Sequence, residues 1–238
     1  MKIIAEIGIN YNTDFKKIEE MIRQCAYGGA DFAKFQLYSS QRVFGDESRK
    51  CNELSFKQTK EISEICNFHG IEFFASVFDS ERLNWCEEIG VKTYKIASRT
   101  LIKEPDLCNE IISTKKPTFI SLGMWSNYEN DGSVKILPYN FEDYGNIIYL
   151  HCISKYPTKC HDLKVFKYDE NVCGLSDHTY GIAYPLYNIN LGAQVVEKHF
   201  TLSKSMEGND HIGSMDLADL INLKKIGTEL YNISKSLK

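Results

Sequence analysis

Glu72-Phe-Phe-Ala-Ser-Val-Phe78 is a short apolar run; it leads into Ser80-Glu-Arg-Leu-Asn-Trp-Cys-Glu-Glu-Ile89, closed by Gly90, and then into Thr93-Tyr-Lys-Ile-Ala-Ser98. The first and third pieces have the length and composition of buried strands, and the middle piece repeats apolar residues at helical spacing. A strand, a helix and a strand with connections this short make a parallel crossover unit. Outward from it the pattern recurs. Strands are expected at Ile3–Gly8, Phe32–Tyr38, Pro117–Gly123, Ile147–Ser154, Val172–Asp177 and Gln194–Thr201, and helices at Asp14–Tyr27, Ser55–His69, Glu104–Thr114 and Asp216–Ser236. Ser55 and Ser80 read as N-caps, with Gln58 completing a capping box, and Gly28, Gly70 and Gly90 as left-handed stops. From Met124 to Gly145 the pattern fails around Asp131-Gly132 and Pro138, so a loop with a small hairpin is expected in place of the fifth helix. A brief sixth helix is expected at Asp162–Tyr168. Eight β/α units in 238 residues, close to the ~250 typical of the fold, make residues 1–238 a single α/β domain, a closed (β/α)8 TIM barrel, with an open doubly wound sheet as the other arrangement.

Composition narrows the partners. A formal net charge of −4 and a pI near 5.9 leave no overall basic face for nucleic acid or an anionic membrane surface. No apolar run approaches the ~18 residues of a membrane span, and the N-terminus reaches Glu6 at once, so the chain reads as cytoplasmic. Cys25, Cys51, Cys66, Cys86, Cys108, Cys152, Cys160 and Cys173 are scattered without a C-x-x-C pair and read as buried reduced thiols.

Barrel enzymes carry their chemistry at the carboxyl ends of the strands, and here seven of the eight ends are polar. Glu6, Lys34 with Gln36, Lys95 with Ser98, Ser121, Ser154 with Tyr156, Ser176 with His178, and Glu197 with His199 are candidates for one lumen, and strand alternation puts Lys34 with Gln36 and the last two pairs on shared faces. Lys34 in Phe-Ala-Lys-Phe-Gln and Lys95 in Tyr-Lys-Ile-Ala-Ser are flanked by apolar neighbours. A cation there costs several kcal/mol unless an anion meets it, which points to an anionic ligand. His178 and His199 end adjacent strands, where two imidazoles reach one divalent ion and leave positions open for substrate.

At these residues the sequence resembles a known family. Ala5-Glu6-Ile7-Gly8, Lys34-Phe35-Gln36, Phe78-Asp79, Lys95-Ile96-Ala97-Ser98, Ser121-Leu122-Gly123-Met124, Ser176-Asp177-His178-Thr179, Glu197-Lys198-His199-Phe200-Thr201 and Asp210-His211 are similar, in order and spacing, to the barrel domain of the N-acetylneuraminate (sialic acid) synthase family. The resemblance runs from Ile3 to about Leu220. It implies condensation of phosphoenolpyruvate with an aldose, commonly N-acetylmannosamine or a derivative, to a 2-keto-3-deoxy sugar acid and phosphate, with Mn2+ or Mg2+ as cofactor. It further implies that Lys34, Lys95, Ser98, Ser121 and Ser176 hold phosphoenolpyruvate and that His178 and His199 bind the metal. Glu6 and Glu197 stand beside the reacting carbons, and Asp210, Tyr156, Gln36 and Ser154 fall on the acceptor side.

Several positions depart from the family's pattern. Arg99-Thr100 stands where Gly-Glu is usual, and Ser154 where an Asn is common. The family's antifreeze-like domain reaches across a dimer, and a chain ending at Lys238 would lack it, so a homodimer or a separate completing chain is an expected partner. The expected result is an altered acceptor, an anionic aldose among the choices, and poor use of plain N-acetylmannosamine. A different metal-dependent barrel aldolase or isomerase, and an inactive barrel serving as a binding subunit, are the alternatives. Replacing either lysine by Met is expected to weaken phosphoenolpyruvate binding while leaving stability unchanged or raised.

Overall fold

The computed structural model describes residues 1–139 and 146–237. Eight parallel strands close on themselves in sequence order: β1 Lys2–Gly8, β2 Phe32–Leu37, β3 Glu72–Val77, β4 Tyr94–Ile96, β5 Thr118–Ser121, β6 Ile147–Cys152, β7 Val172–Asp177 and β8 Val195–His199. The expected TIM barrel is the observed fold, with each strand placed within the limits read from sequence to a residue or three. Closure is explicit in the register of β1 against β8, where Ile4 faces Glu197 and Glu6 faces His199.

The helices are α1 Lys16–Tyr27, α2 Ser40–Phe44, α3 Phe56–His69, α4 Ser80–Ile89, α5 Ser98–Lys103, α6 Pro105–Ser113, α7 Ala183–Leu191 and α8 Leu217–Ser236. Ser55 caps α3 with the expected box, accepting from the Gln58 backbone while the Gln58 side chain reaches back. Two local readings are corrected. Asp79, not Ser80, caps α4, because its carboxylate accepts from the Arg82 N–H at 2.9 Å. Gly28 has a right-handed φ of −71°, and the left-handed residue after α1 is Gly29 at +86°. The helix expected at Asp162–Tyr168 is absent: a 3-10 turn occupies Cys160–Asp162, and residues 163–168 form no helix. The hairpin at Asp131-Gly132 is present as an antiparallel bridge between Tyr128 and Val134; the part of that loop from Asn140 to Gly145 lies outside the described residues. All eight cysteines are free thiols, but Cys51 and Cys160 are exposed rather than buried. Among the described residues no helix is long and apolar enough to cross a membrane.

The barrel interior is layered, and the layering positions the site. Phe32, Phe74 and Phe119 meet in edge-on or tilted contacts with ring centroids 5.2 to 5.9 Å apart. Because β2 and β5 are not neighbours, this contact crosses the lumen and plugs it. Two residues further along the same three strands, alternation brings Lys34, Ser76 and Ser121 to the next level. An aromatic floor thus excludes water from below while a polar layer faces the open, carboxyl-terminal end.

Candidate active site

Above that floor lies a cavity of about 600 Å³ lined from all eight strands, including Glu6, Lys34, Ser76, Lys95, Ser121 and Glu197. Every residue proposed from the sequence as catalytic, substrate-binding or metal-binding lines it: besides five of these, Gln36, Ser98, Ser154, Tyr156, Ser176, His178, His199 and Asp210. The inventory of strand ends is therefore one place in space.

Its centre is a network of buried charge. The Lys34 ammonium lies 2.8 Å from Glu6 Oε2 and 3.7 Å from Glu197 Oε2, and donates to Ser76 Oγ at 3.1 Å. Gln36 donates to the other Glu6 oxygen at 2.7 Å and so fixes the carboxylate's plane. Ser176 donates to Glu197 Oε1 at 2.9 Å. Burial opposes charge on Glu197, yet Lys34, Lys95 and the Ser176 hydroxyl outweigh it and hold the carboxyl down to about 2.

The two lysines differ. Burial alone would lower Lys34, but Glu197 and Glu6 reverse that and raise it. Among the described residues Lys95 has one carboxylate within salt-bridge distance, Glu197 at 4.0 Å, with Ser121 Oγ at 2.7 Å and the Ile96 carbonyl at 3.0 Å as acceptors, and burial leaves it lowered. Lys95 is an under-compensated buried cation, the state an incoming anion relieves. Ser98 accepts from the Gly123 N–H at 2.9 Å, and a Cβ at Gly123 would stand 2.3 Å from Ser154 Oγ and 2.8 Å from Cys152 Sγ, so the backbone approaches this corner as closely as glycine permits.

At the carboxyl ends of β7 and β8, two residues beyond Ser176 and Glu197, the His178 and His199 rings lie 5.7 Å apart, with the Tyr156 ring 4.0 Å from His178. His178 Nδ1 contacts the Ile153 carbonyl at 3.1 Å, which fixes that nitrogen as a donor and leaves Nε2 with its lone pair. Burial, then His199, pushes His178 down to about 3, so the ring is neutral, as a metal ligand must be. His199 Nδ1 is buried with no hydrogen-bond partner among the described residues. Those residues hold no cluster of three or more His, Cys, Asp or Glu fit for a metal. The neutral His178 ring and the unpartnered His199 nitrogen are the imidazole groups here whose chemistry fits a divalent ion.

Alternation turns the intervening residues outward. Asp177 and Lys198 pair at 2.6 Å behind the strands, both buried, with Lys198 also donating to the Thr179 carbonyl. Thr100 is likewise buried in α5 and does not line the cavity, whereas Arg99 does. The sequence reading missed Ser76, Cys152, Phe44, Arg49 and Asn209, all of which line the cavity. Ser76 had a signal, since it follows Phe74 by two residues and continues the same face; Arg49 and Asn209 sit in loops, where no period applies.

The fold and this cavity define a barrel enzyme whose site gathers buried ion pairs and hydroxyls at the carboxyl ends of the strands. The NeuB family model matches residues 21–238, and the chain belongs to that family. It is 33% identical over 252 residues to the N,N'-diacetyllegionaminic acid synthase of Legionella pneumophila, covering 93% of this chain and 69% of that protein. It is 38% identical over 225 residues to an uncharacterised protein of Methanocaldococcus jannaschii, covering 90% of this chain and 66% of that one. The chain thus spans about two thirds of the length of these relatives. Among solved structures, the N-acetylneuraminic acid (sialic acid) synthetase of Leptospira borgpetersenii in complex with citrate superposes with a TM-score of 0.83 at 30% identity, over 99% of this chain and 84% of that one.

Proposed function

We propose that this chain condenses phosphoenolpyruvate with an aldose to give a 2-keto-3-deoxy sugar acid and inorganic phosphate. One observation carries the reading: two fully buried lysines, two buried glutamates and three serine hydroxyls converge on one cavity, in a chain related to sugar-acid synthases. Phosphoenolpyruvate carries close to three negative charges. Lys95, Lys34 and the hydroxyls of Ser98, Ser121 and Ser176 offset them in a site where water is scarce.

C3 of phosphoenolpyruvate attacks the aldehyde carbon: the C2–C3 double-bond pair forms the C–C bond, the C=O π pair moves to the aldehyde oxygen, which becomes a hydroxyl by taking up the proton that the adding water later releases, and C2 is left with cationic character. Glu197, held ionised, faces that charge and stabilises it. Water adds at C2, and Glu6, oriented by Gln36 and Lys34, takes its proton. The hemiketal phosphate then breaks its C2–O bond, releasing phosphate and the keto acid. Mn2+ or Mg2+ bound by His178 and His199 would supply a Lewis acid for the aldehyde oxygen. Asp210, Tyr156 and Ser154 hold the acceptor's hydroxyls.

The finer reading concerns which aldose. Arg99 and Arg49 line the cavity and flank one aromatic ring, with their guanidinium carbons 5.5 and 4.5 Å from the Phe44 centroid. Neither has a carboxylate within salt-bridge distance among the described residues; Arg99 donates to the Val43 carbonyl, while nearby Arg42 pairs with Glu104. Two uncommitted cations at the mouth suit an acceptor bearing a phosphate or carboxylate. Phosphate release from phosphoenolpyruvate, measured with N-acetylmannosamine, its 6-phosphate and other aldoses, tests both levels. Arg99→Gln is expected to lower kcat/KM about tenfold for the phosphorylated acceptor, the value of one charged hydrogen bond, and to spare the neutral one. Release with no aldose at all refutes the condensation; rapid turnover of plain N-acetylmannosamine in preference to the 6-phosphate refutes the anionic acceptor alone.

A further inference from the structure

Asp210 reaches the cavity from the segment between β8 and α8, which has no strand or α-helix to hold it. The segment closes on its own base, with Met215 N–H donating to the His199 carbonyl at 2.8 Å and Thr201 N–H to the Met215 carbonyl at 2.9 Å. What fixes its tip is a set of side chains on the loop after β1. Asn10 donates to the Phe200 carbonyl at 2.9 Å and to Ser214 Oγ at 3.1 Å, and Ser214 in turn donates to the Asp210 carbonyl at 2.6 Å. Asn12 donates to the Glu207 carbonyl at 2.8 Å and presents its Oδ1 to His211 Nε2 at 3.0 Å. The other His211 nitrogen meets Thr201 Oγ1 at 2.7 Å.

This arrangement dictates the ring's state. Because the Asn12 amide donates to Glu207, its oxygen faces His211, so Nε2 must carry a proton. His211 is buried, and burial lowers its pKa, which favours the neutral ring; its Nδ1 faces the Thr201 hydroxyl, which also lies 2.9 Å from the Ser203 carbonyl. Two backbone features support the joint. Asn12 has φ +48°, a left-handed conformation that aims its amide across the gap. Gly208 has φ +135°, and a Cβ there would stand 2.9 Å from the His211 ring, so the backbone lies against the joint where a side chain would pry it open.

We propose that His211, held as the Nε2–H tautomer by Asn12, is a positioning residue that sets where the Asp210 carboxylate meets the acceptor sugar. This rests on the condensation proposed above. The histidine touches no reacting atom; it ties the acceptor-side loop to the strand that carries Glu6, so the two halves of the site keep one spacing.

The test is steady-state phosphate release using phosphoenolpyruvate and whichever aldose the unaltered chain turns over best. His211→Asn keeps a polar group near Thr201 but cannot reach Asn12; Asn12→Gly suits the left-handed backbone and deletes the joint from the other side. Each is expected to raise KM for the aldose about tenfold or more while KM for phosphoenolpyruvate stays within about twofold, since only the acceptor's partner is displaced. The double variant is expected to be no worse than the poorer single one, because both remove the same joint. His211→Gln, whose amide reaches the Nε2 position and can donate to Asn12, is expected to recover most of the loss. Nitrogen-15 spectra should show the proton on Nε2. Equal rises in both KM values, additive effects, or no rescue by Gln would assign His211 a merely structural role and overturn the proposal. An unaltered chain that turns over no aldose overturns the condensation and this inference together, whereas turnover with the aldose KM unmoved in the variants overturns this inference alone.

Discussion

Lys34→Met is expected to weaken phosphoenolpyruvate binding by about 2 kcal/mol or more, roughly thirtyfold, and also to lower stability by about 3–5 kcal/mol at neutral pH. The first effect follows from losing a charged donor to the ligand. The second reverses what the sequence suggests, where two buried lysines read as mutually repelling cations. Lys34 is instead the hub of two carboxylates, at 2.8 Å from Glu6 and 3.7 Å from Glu197, all three side chains buried. Removing it strands negative charge, and breaking a buried pair costs more than never having made it.

The pH dependence follows. In the unaltered chain Glu197 is depressed to about 2, so it contributes stability above the ordinary carboxylate range, lost as pH falls toward 2. Without Lys34 the Glu197 carboxyl loses the stronger-acting of the two cations that hold it down and shifts upward, and protonation relieves it. The variant's deficit should therefore be largest near pH 7 and smaller near pH 5. Lys95→Met should lose a similar amount of phosphoenolpyruvate affinity with a smaller stability loss, because its nearest carboxylate is 4.0 Å away and burial already disfavours its charge. Calorimetric titration with phosphoenolpyruvate, paired with urea unfolding at both pH values, reads all of this. Undiminished affinity in both variants would remove the lysines from the site, and unchanged stability in Lys34→Met would dissolve the hub.

What was legible in the sequence follows from periodicity. A parallel strand buried on both faces writes itself as a short apolar run, so each strand from β1 to β8 could be placed, and a polar residue inside such a run had to face the lumen or a partner. That is why Lys34, Lys95, Ser176 and Glu197 stood out. The same alternation was less informative at Asp177 and Lys198, which satisfy each other behind the strands; composition cannot distinguish an internally paired charge from one awaiting a ligand. Three helices escaped notice. Short α2 and α5 hold too few turns to show a period, and α7 is apolar nearly all round, with Tyr184, Pro185 and Ile189 buried, so no face stands out. The loop residues Arg49 and Asn12 are placed by side-chain hydrogen bonds and stacking between loops that no helix or strand period encodes.

Removing divalent ions with a chelator is expected to reduce phosphate release by roughly a thousandfold, the scale of several kcal/mol of Lewis-acid stabilisation, with Mn2+ or Mg2+ restoring it. The expectation rests on His178 and His199 as they stand. One ring is neutral and oriented through Nδ1 by the Ile153 carbonyl, and the other keeps a buried nitrogen without a hydrogen-bond partner among the described residues. A buried polar atom left in that state costs about 1–3 kcal/mol, which an ion would recover. With two protein nitrogens as ligands the ion should bind weakly, exchange readily and bind more tightly once phosphoenolpyruvate is present, since the substrate brings both charge and oxygen donors. His199→Ala separates this from a structural role: it should abolish Mn2+ binding followed by electron paramagnetic resonance while leaving Tm within a few degrees, because His199 lies at the strand's end and the barrel's aromatic floor is untouched. Full phosphate release in the presence of chelator, or undiminished Mn2+ binding in His199→Ala, would show that these two histidines serve packing alone.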